Sequence, residues 1–171
     1  MADTRDILID WLRDAHAMER ASIDNLERQV RHLDHYPDVR SKFQEQLDLT
    51  RRQEQRLVNQ LQTLGTDTSA IKDAITRMAG QAQAMLAGSA PDEVVKQAVT
   101  TLAYEEWEIA NFRALATAAE HEGEESMATM FEEMADEKAD MADWLAEAIP
   151  DITRRYLDMR GSGAGAGIAK S

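Results

Sequence analysis

The sequence predicts an all-α fold, specifically a four-helix bundle with one long crossover connection. Apolar residues recur at alternating spacings of three and four along four long segments, which is the pattern of helices that bury one face. The chain of 171 residues has only three prolines and eight glycines, and four of those glycines lie beyond residue 160. Because both residue types interrupt helices, their scarcity elsewhere allows long helices.

The first two predicted helices form a hairpin. Helix 1 is expected from about Thr4 to Leu33 and helix 2 from about Asp38 to Leu64, with a turn at Pro37 between them. Each has a heptad-like seam that includes one glutamate. The two seams are Leu8, Leu12, Ala15, Glu19, Ser22, Leu26, Gln29 and Leu33, and Phe43, Leu47, Thr50, Glu54, Leu57, Leu61 and Leu64.

Helices 3 and 4 are predicted to form a second hairpin. Helix 3 is expected from about Pro91 to Glu120, and helix 4 from just after Gly123 to about Ala148. Pro150 is expected to end or kink helix 4, although residues 152–159 could add a turn or two. The predicted inward stripes are Val95, Ala98, Leu102, Glu105, Ile109, Phe112, Ala116 and Ala119, and Met127, Met130, Met134, Glu137, Met141, Trp144 and Ala148.

A connection of about 25 residues joins the two hairpins and can span a bundle of this length. The pattern from Ile71 to Leu86 predicts an additional short helix within it. Helix 3 can then run parallel to helix 2, which is the ferritin-like topology. We expect residues 1–160 to form this bundle, and residues 161–171, rich in Gly, Ala and Ser, to form a flexible tail.

Composition excludes several classes of partner and cofactor. The formal net charge of −13 disfavours direct binding to nucleic acid or to an anionic membrane surface. The sequence has no apolar run of 18 residues and no signal-peptide pattern, so we expect no membrane span and a cytoplasmic protein. The absence of cysteine excludes disulfides, thiolate metal ligands and iron–sulfur clusters.

Acidic residues occupy the middle of all four predicted seams. Glu19, Glu54, Glu105 and Glu137 each lie close to the midpoint of their helix, so a bundle of similar helices brings them to one height. Glu105 is followed by Glu108, and Glu137 by Asp140, at the i, i+3 spacing that places two side chains on one helical face. Buried carboxylates repel one another unless a cation lies among them.

The pattern therefore predicts a metal centre. We expect it to bind two divalent ions through six candidate ligands, Glu19, Glu54, Glu105, Glu108, Glu137 and Asp140. Hard oxygen ligands suit iron, manganese, magnesium or calcium, and of these we expect iron or manganese. Three alternatives remain open: some acids are exposed, the acids form a buried ion pair with Arg52, Arg113 or Lys138, or the site is acidic but empty. In the last two cases the protein would be a helical scaffold rather than a metalloprotein.

Four stretches of the chain resemble the ferritin-like superfamily, in particular the bacterial stress-associated YciE/YciF-type proteins. Together the similarity covers about residues 4 to 158. The stretches are Leu12 to Asp14 followed by Glu19, Gln46 to Gln53, Tyr104 to Phe112, and Asp136 to Lys138 with Asp140.

The resemblance implies a cytosolic homodimer with a di-metal centre that acts in stress, by Fe(II) oxidation or peroxide removal if the metal is iron. One feature departs from it. Di-iron oxidases commonly carry Glu-x-x-His on two helices, whereas the corresponding positions here are Thr50 with Gln53 and Glu137 with Asp140. The histidine that precedes Glu19 by one turn, His16, lies on the flank of helix 1. A site without histidine favours harder metals.

Overall fold

The computed structural model describes residues 3–66 and 93–162 of the chain. These residues form four α-helices and no strand, which confirms the predicted all-α four-helix bundle. The helices are α1 Thr4–Arg31, α2 Pro37–Thr63, α3 Val94–His121 and α4 Glu125–Gly161. The predicted short helix of the crossover, from Ile71 to Leu86, lies outside the described residues, as does the predicted tail from residue 163 onwards.

Contacts between helices define the topology. α1 and α2 form one hairpin through residues 32–36, and α3 and α4 form another through residues 122–124. α2 and α4 are antiparallel, because Asp38 near the start of α2 pairs with Arg155 of α4, while Gln53 further along α2 bonds Glu137. α2 and α3 therefore run in the same direction, so the end of α2 and the start of α3 lie at opposite ends of the bundle.

Two hydrophobic clusters fill the bundle, and a buried polar layer lies between them. The first cluster includes Leu12, Leu57, Phe112 and Phe131. The second includes Leu26, Phe43, Met141 and Leu145. The buried polar side chains include Glu19, Gln46, Thr50, Gln53, Glu105, Glu108 and Lys138. Because burial of apolar surface supplies most of the favourable free energy of folding, the two clusters hold this polar layer in place.

The inward face of α4 differs from the predicted stripe. Met127, Met134 and Met141 are buried as predicted, but the positions between them are filled by residues one place later in sequence. The buried series is Met127, Phe131, Met134, Lys138, Met141, Leu145 and Ile152. The predicted seam positions of Met130, Glu137, Trp144 and Ala148 are only half-buried. Both series alternate spacings of three and four, and the structure buries the one that contains Phe131 and Leu145.

Helix α4 does not end near Ala148 but continues through Pro150 to Gly161, which corresponds to the alternative of added turns over residues 152–159. Proline within a helix costs roughly 3 kcal/mol, because it lacks an N–H donor and its ring crowds the preceding turn. Tertiary contacts beyond the proline stabilise the extension. Ile152 is buried in the second hydrophobic cluster, and Arg155 donates two hydrogen bonds to Asp38 at 2.8 and 2.9 Å.

No helix within residues 3–66 and 93–162 has both the length and the apolar character required to cross a membrane.

Candidate functional site

The polar layer is organised around the ammonium group of Lys138, whose side chain has no solvent exposure. Its Nζ lies 2.8 Å from Glu108 Oε2, 3.3 Å from Glu19 Oε1 and 3.9 Å from Glu105 Oε2. It also donates a hydrogen bond to Thr50 Oγ1 at 3.2 Å. Three helices besides α4 thus supply the groups around a single buried cation.

Helix periodicity explains why these carboxylates meet. Glu19 occupies the seam of α1, between Leu12 and Leu26 in the same buried stripe. Glu105 and Glu108 are one turn apart on α3 and therefore lie on one face, and both side chains are fully or almost fully buried. The structure therefore brings these three acids together near the middle of the bundle, as the sequence pattern predicts.

Amide and hydroxyl groups complete the surroundings of the cluster. Gln46 of α2 is buried and donates a hydrogen bond from Nε2 to Glu105 Oε2 at 2.8 Å. Tyr104, next to Glu105 on α3, donates its hydroxyl hydrogen to the carbonyl oxygen of Met18 at 3.1 Å. These bonds fix the backbone of α1 against α3 and orient one of the three carboxylates.

Burial perturbs the pKa values of the cluster. It raises the pKa of Glu105 to about 8, with the charge of Glu108 adding to the effect and Lys138 and Gln46 opposing it. Burial also raises the pKa of Glu19 well above its usual range, with Lys138 opposing the effect and the charge of Glu108 adding to it. For Lys138, burial lowers the pKa, but the three carboxylates outweigh this and hold it above its ordinary value.

The cluster has more negative than positive charge when its groups are ionised. Three carboxylates face one ammonium, which leaves an excess of two negative charges among the groups around Lys138. In addition, within the described part of the chain, neither oxygen of Glu19 nor of Glu108 accepts a hydrogen bond of good geometry. Buried carboxylates in this condition are stabilised either by protons or by a further cation.

The other three predicted ligands lie outside this cluster. Glu54 is half-buried, and its Oε1 lies 2.9 Å from Nε2 of His16. Glu137 is half-buried and accepts hydrogen bonds from Gln53 at 2.7 Å and from Arg56 at 3.2 Å. The last of the three, Asp140, is exposed. The structure therefore brings together three of the six predicted acids and distributes the other three over the α1/α2 and α2/α4 sides of the bundle.

The arrangement is that of an ammonium-centred cluster. Within residues 3–66 and 93–162, no three histidine, aspartate or glutamate side chains form a group that could hold a metal ion as they stand. The sequence predicts Lys138 only as one of three possible ion-pair partners. The apolar residues Phe131 and Leu145, one heptad before and after it, were the sequence signal for its inward position.

Comparisons with known proteins place the chain in a family. The crystal structure of a protein from Xanthomonas campestris pv. campestris superimposes with a TM-score of 0.77 at 26% identity, covering 93% of this chain and 99% of that chain. YcfI from Rhodopseudomonas palustris matches with a TM-score of 0.64 at 20% identity, covering 85% of this chain and 94% of that chain. The family model described as "Domain of unknown function (DUF892)" matches residues 3–158. The chain therefore belongs to the DUF892 family.

Proposed function

We propose that this chain is a ferritin-like metal-binding protein whose buried carboxylates Glu19, Glu105 and Glu108 take up a divalent ion, iron or manganese. The observation that carries the proposal is the charge imbalance around Lys138. Three buried carboxylates surround one ammonium, and one divalent cation would neutralise the remaining two negative charges. A neutral buried cluster avoids the large desolvation penalty of an uncompensated charge.

The donor set supports a hard metal. The side chains that would hold the ion offer carboxylate oxygens only, and iron, manganese, magnesium and calcium accept such ligands. One oxygen each of Glu19 and Glu108 faces the Lys138 ammonium. The other oxygen of each has no hydrogen-bond donor of good geometry among the described residues, so it remains available as a ligand. Glu105 already accepts a bond from Gln46 through Oε2, which orients its carboxylate.

The same charge count modifies the expectation of two metal ions. Two divalent cations beside Lys138 would leave an excess of two positive charges on the three buried carboxylates. Balance would then require Glu54, Glu137 or Asp140, none of which lies in the cluster. We therefore propose one divalent ion per chain, with the ammonium of Lys138 providing the charge that a second ion would otherwise supply.

If the ion is iron, the chemistry it would supply is Fe(II) oxidation or peroxide removal, as the resemblance to the YciE/YciF-type stress proteins implies. Lys138 would hold a proton at Nζ beside Glu108, and the apolar clusters on either side would exclude bulk water. The same resemblance underlies our proposal that the protein acts in the cytoplasm as a homodimer.

A second candidate function is that of a metal-free helical scaffold. The observation that favours it is Lys138, which already places a cation among the carboxylates. In this case protons on Glu19 and Glu105 would remove the remaining charge, in agreement with the raised pKa values of both groups. The protein would then act through its surface, and the cluster would contribute only to the register of the helices.

Metal loading of matched variants distinguishes the two functions. Purified protein is freed of metal with a chelator, loaded anaerobically with Fe(II) or Mn(II), desalted and assayed for metal content and melting temperature. Glu105→Gln removes a buried carboxylate, and Glu106→Gln makes the same change at an exposed position next to it. We expect about one ion per chain and a raised melting temperature in the wild type and in E106Q, and neither in E105Q, because a ligand that binds only the native state stabilises it.

If none of the three proteins retains stoichiometric metal under any loading condition, the metal-binding proposal is wrong and the scaffold function stands. Retention of two ions per chain would contradict the charge argument. Equal retention by E105Q and E106Q would place the bound metal elsewhere on the acidic surface.

A further inference from the structure

The exposed face of α3 differs in composition from that of α4. Ten residues of α3 are exposed, and they include two acids and two bases, so this face has no formal net charge. On α4, seven of the exposed residues between Glu125 and Glu147 are acidic and none is basic. The small or apolar residues of the α3 face are Val99, Ala103, Ala110, Ala114 and Thr117. A helix that is apolar on its outer side as well as its inner side is typical of one covered on both sides.

The charge of the whole chain favours this face for contact with a second copy. The formal net charge of −13 makes two copies repel each other. The repulsion is weakest where the two facing surfaces carry no net charge, and α3 supplies such a surface. Contact through the exposed face of α4 would instead bring acidic side chains together.

Two charged residues of α3 complement each other between copies. Glu106 and Arg113 are exposed and seven residues apart, which places them on one side of the helix and about 10 Å apart along its axis. Neither forms an ion pair among the described residues. Arg113 is one of the ion-pair partners that the sequence offered to the buried acids, and the structure places it on the outside of the bundle.

A twofold axis through the middle of this face pairs the two charges reciprocally. In a dimer of this symmetry, a residue that contacts another across the interface is contacted by it in return. When two α3 helices pack antiparallel, with the axis midway between Glu106 and Arg113, each Glu106 lies opposite Arg113 of the second copy. The antiparallel arrangement therefore gives two ion pairs per dimer.

Small residues at the centre of the face allow the two helices to approach closely. Ala103, Ala110 and Thr117 recur every seven residues, and Ala110 lies next to the axis. A seven-residue repeat keeps one line of a helix facing its partner. Side chains of this size permit an interaxial distance near the lower limit of about 8 Å.

The neighbouring surface of α1 supplies a larger anchor. Trp11 is 45% exposed and lines a cavity of about 230 Å³ between α1 and α3, together with Asn111 and Ala114. The antiparallel register brings the half-buried Trp107 of the second copy level with Asn111 and Ala114, at the mouth of this cavity. Aromatic residues at such clefts are enriched in protein interfaces and among the residues that dominate binding.

We propose that the outer face of α3, with Trp11 of α1 beside it, is the surface on which a second copy of this chain docks antiparallel. Glu106 of each copy pairs with Arg113 of the other, around a centre at Ala110. The inference rests on the homodimer of the proposed function, to which it assigns an interface, and it needs no bound metal.

Reversal of the two charges tests this face, and sedimentation velocity at several protein concentrations measures the dissociation constant of the dimer. Glu106→Arg and Arg113→Glu each turn both ion pairs into contacts between like charges, and we expect the dissociation constant to rise about 100-fold. The double variant E106R/R113E restores both pairs with their directions exchanged, so its dissociation constant should lie within about fivefold of the wild type. Neutralisation alone, as in E106Q, should change little, because an exposed ion pair contributes little.

Mixing the two single variants provides an independent measurement. E106R has two arginines on the face and R113E has two glutamates, so equal amounts should form a heterodimer under conditions in which each variant alone is monomeric. Glu132→Arg is the matched control, since it makes the same change in net charge at an exposed position of α4, and it should not weaken the dimer. Trp11→Ala should raise the dissociation constant about tenfold through loss of the anchor.

The outcomes separate this inference from the function on which it rests. A wild type that stays monomeric at every concentration contradicts the homodimer itself. A wild-type dimer that E106R and R113E leave intact means that the homodimer stands but uses another surface, which overturns the inference. Circular dichroism checks the folding of each variant. If one single variant fails to fold, the other single variant and the double variant still decide, because they test the same two pairs.

Discussion

Two acid pairs with the same i, i+3 spacing lie in opposite environments. Glu105 and Glu108 on α3 are buried against Lys138, whereas Glu137 on α4 is half-buried and Asp140 is exposed. Spacing alone shows that two carboxylates share a face, and it does not show which way that face points. The rotation of a helix about its axis therefore decides whether an acid pair becomes a buried site or part of the surface.

The rotation of α4 also selects the partner of each pair. Since Lys138 points inward, the α3 pair faces a buried ammonium, while Glu137 pairs with Arg56 at the protein surface. Interactions between charges are far stronger in the low-dielectric interior, but removing the charges from water costs free energy as well. Loss of one partner should therefore have different consequences at the two places.

The largest expected effect follows from Lys138→Met, which keeps much of the side-chain volume but removes the charge. Breaking a buried ion pair by deleting one partner typically costs about 3–5 kcal/mol. Arg56→Met makes the corresponding change in the Glu137 pair and should cost about 1 kcal/mol or less, as exposed pairs do. Urea denaturation at pH 8 measures both. Similar losses for the two variants would contradict the assignment of Lys138 as the centre of the cluster.

The second prediction concerns pH in metal-free protein. The raised pKa of Glu105, about 8 against an ordinary 4.5, means that the native state binds a proton that the unfolded chain has already released. The free energy of unfolding should therefore be highest near pH 4.5, the ordinary pKa of glutamate. It should fall by a few kcal/mol as the pH rises to about 8. The raised pKa of Glu19 acts in the same direction.

Substitution of Glu105 isolates its share of this pH dependence. In E105Q, denaturation midpoints measured from pH 5 to pH 9 should decline less steeply than in the wild type, whereas E106Q should follow the wild type. The interval starts at pH 5 because the pKa of Asp38, lowered by its hydrogen bonds with Arg155, makes the fold lose stability at a more acidic pH. A wild-type profile that rises between pH 5 and pH 8 would exclude a protonated Glu105.

Much of the fold follows from the sequence, because the seams of α1 and α3 contain enough apolar residues to determine their inward faces. Every predicted seam residue of α1 is buried, including Glu19. On α2 the apolar seam positions fit equally well whether the buried polar residue is Gln53 or Glu54, and the structure selects Gln53. The predicted Glu54 instead pairs with His16, since a carboxylate that keeps some solvent contact avoids part of the desolvation penalty.

On α4 the sequence contained two stripes with the same period. The stripe through Glu137 includes Met130 and Trp144, and the stripe through Lys138 includes Phe131 and Leu145. Glutamate and lysine are both rare in core positions, so single-residue preferences do not choose between the two stripes. The buried position of Lys138 becomes favourable only with three carboxylates from α1 and α3 around it. The sequence pattern of α4 alone cannot predict this dependence on the other helices.

A smaller effect is expected from Glu137→Gln. The amide keeps the volume of the side chain and can still accept a hydrogen bond from Gln53, but it loses the ion pair with Arg56. We expect the free energy of unfolding of metal-free protein to fall by about 0.5–1 kcal/mol. High salt should lower the stability of this variant little further, because the ion pair that salt would screen is already absent. A loss as large as that of Lys138→Met would instead indicate that Glu137 belongs to the buried cluster.

The smallest effect should come from Asp140→Asn, the member of the α4 pair most exposed to water. Its carboxylate forms no ion pair among the described residues, so the stability of the fold should change by no more than about 0.5 kcal/mol. Urea denaturation should therefore give the same midpoint for D140N and the wild type, whereas a loss as large as that of E137Q would show that the two acids of α4 act as a structural pair.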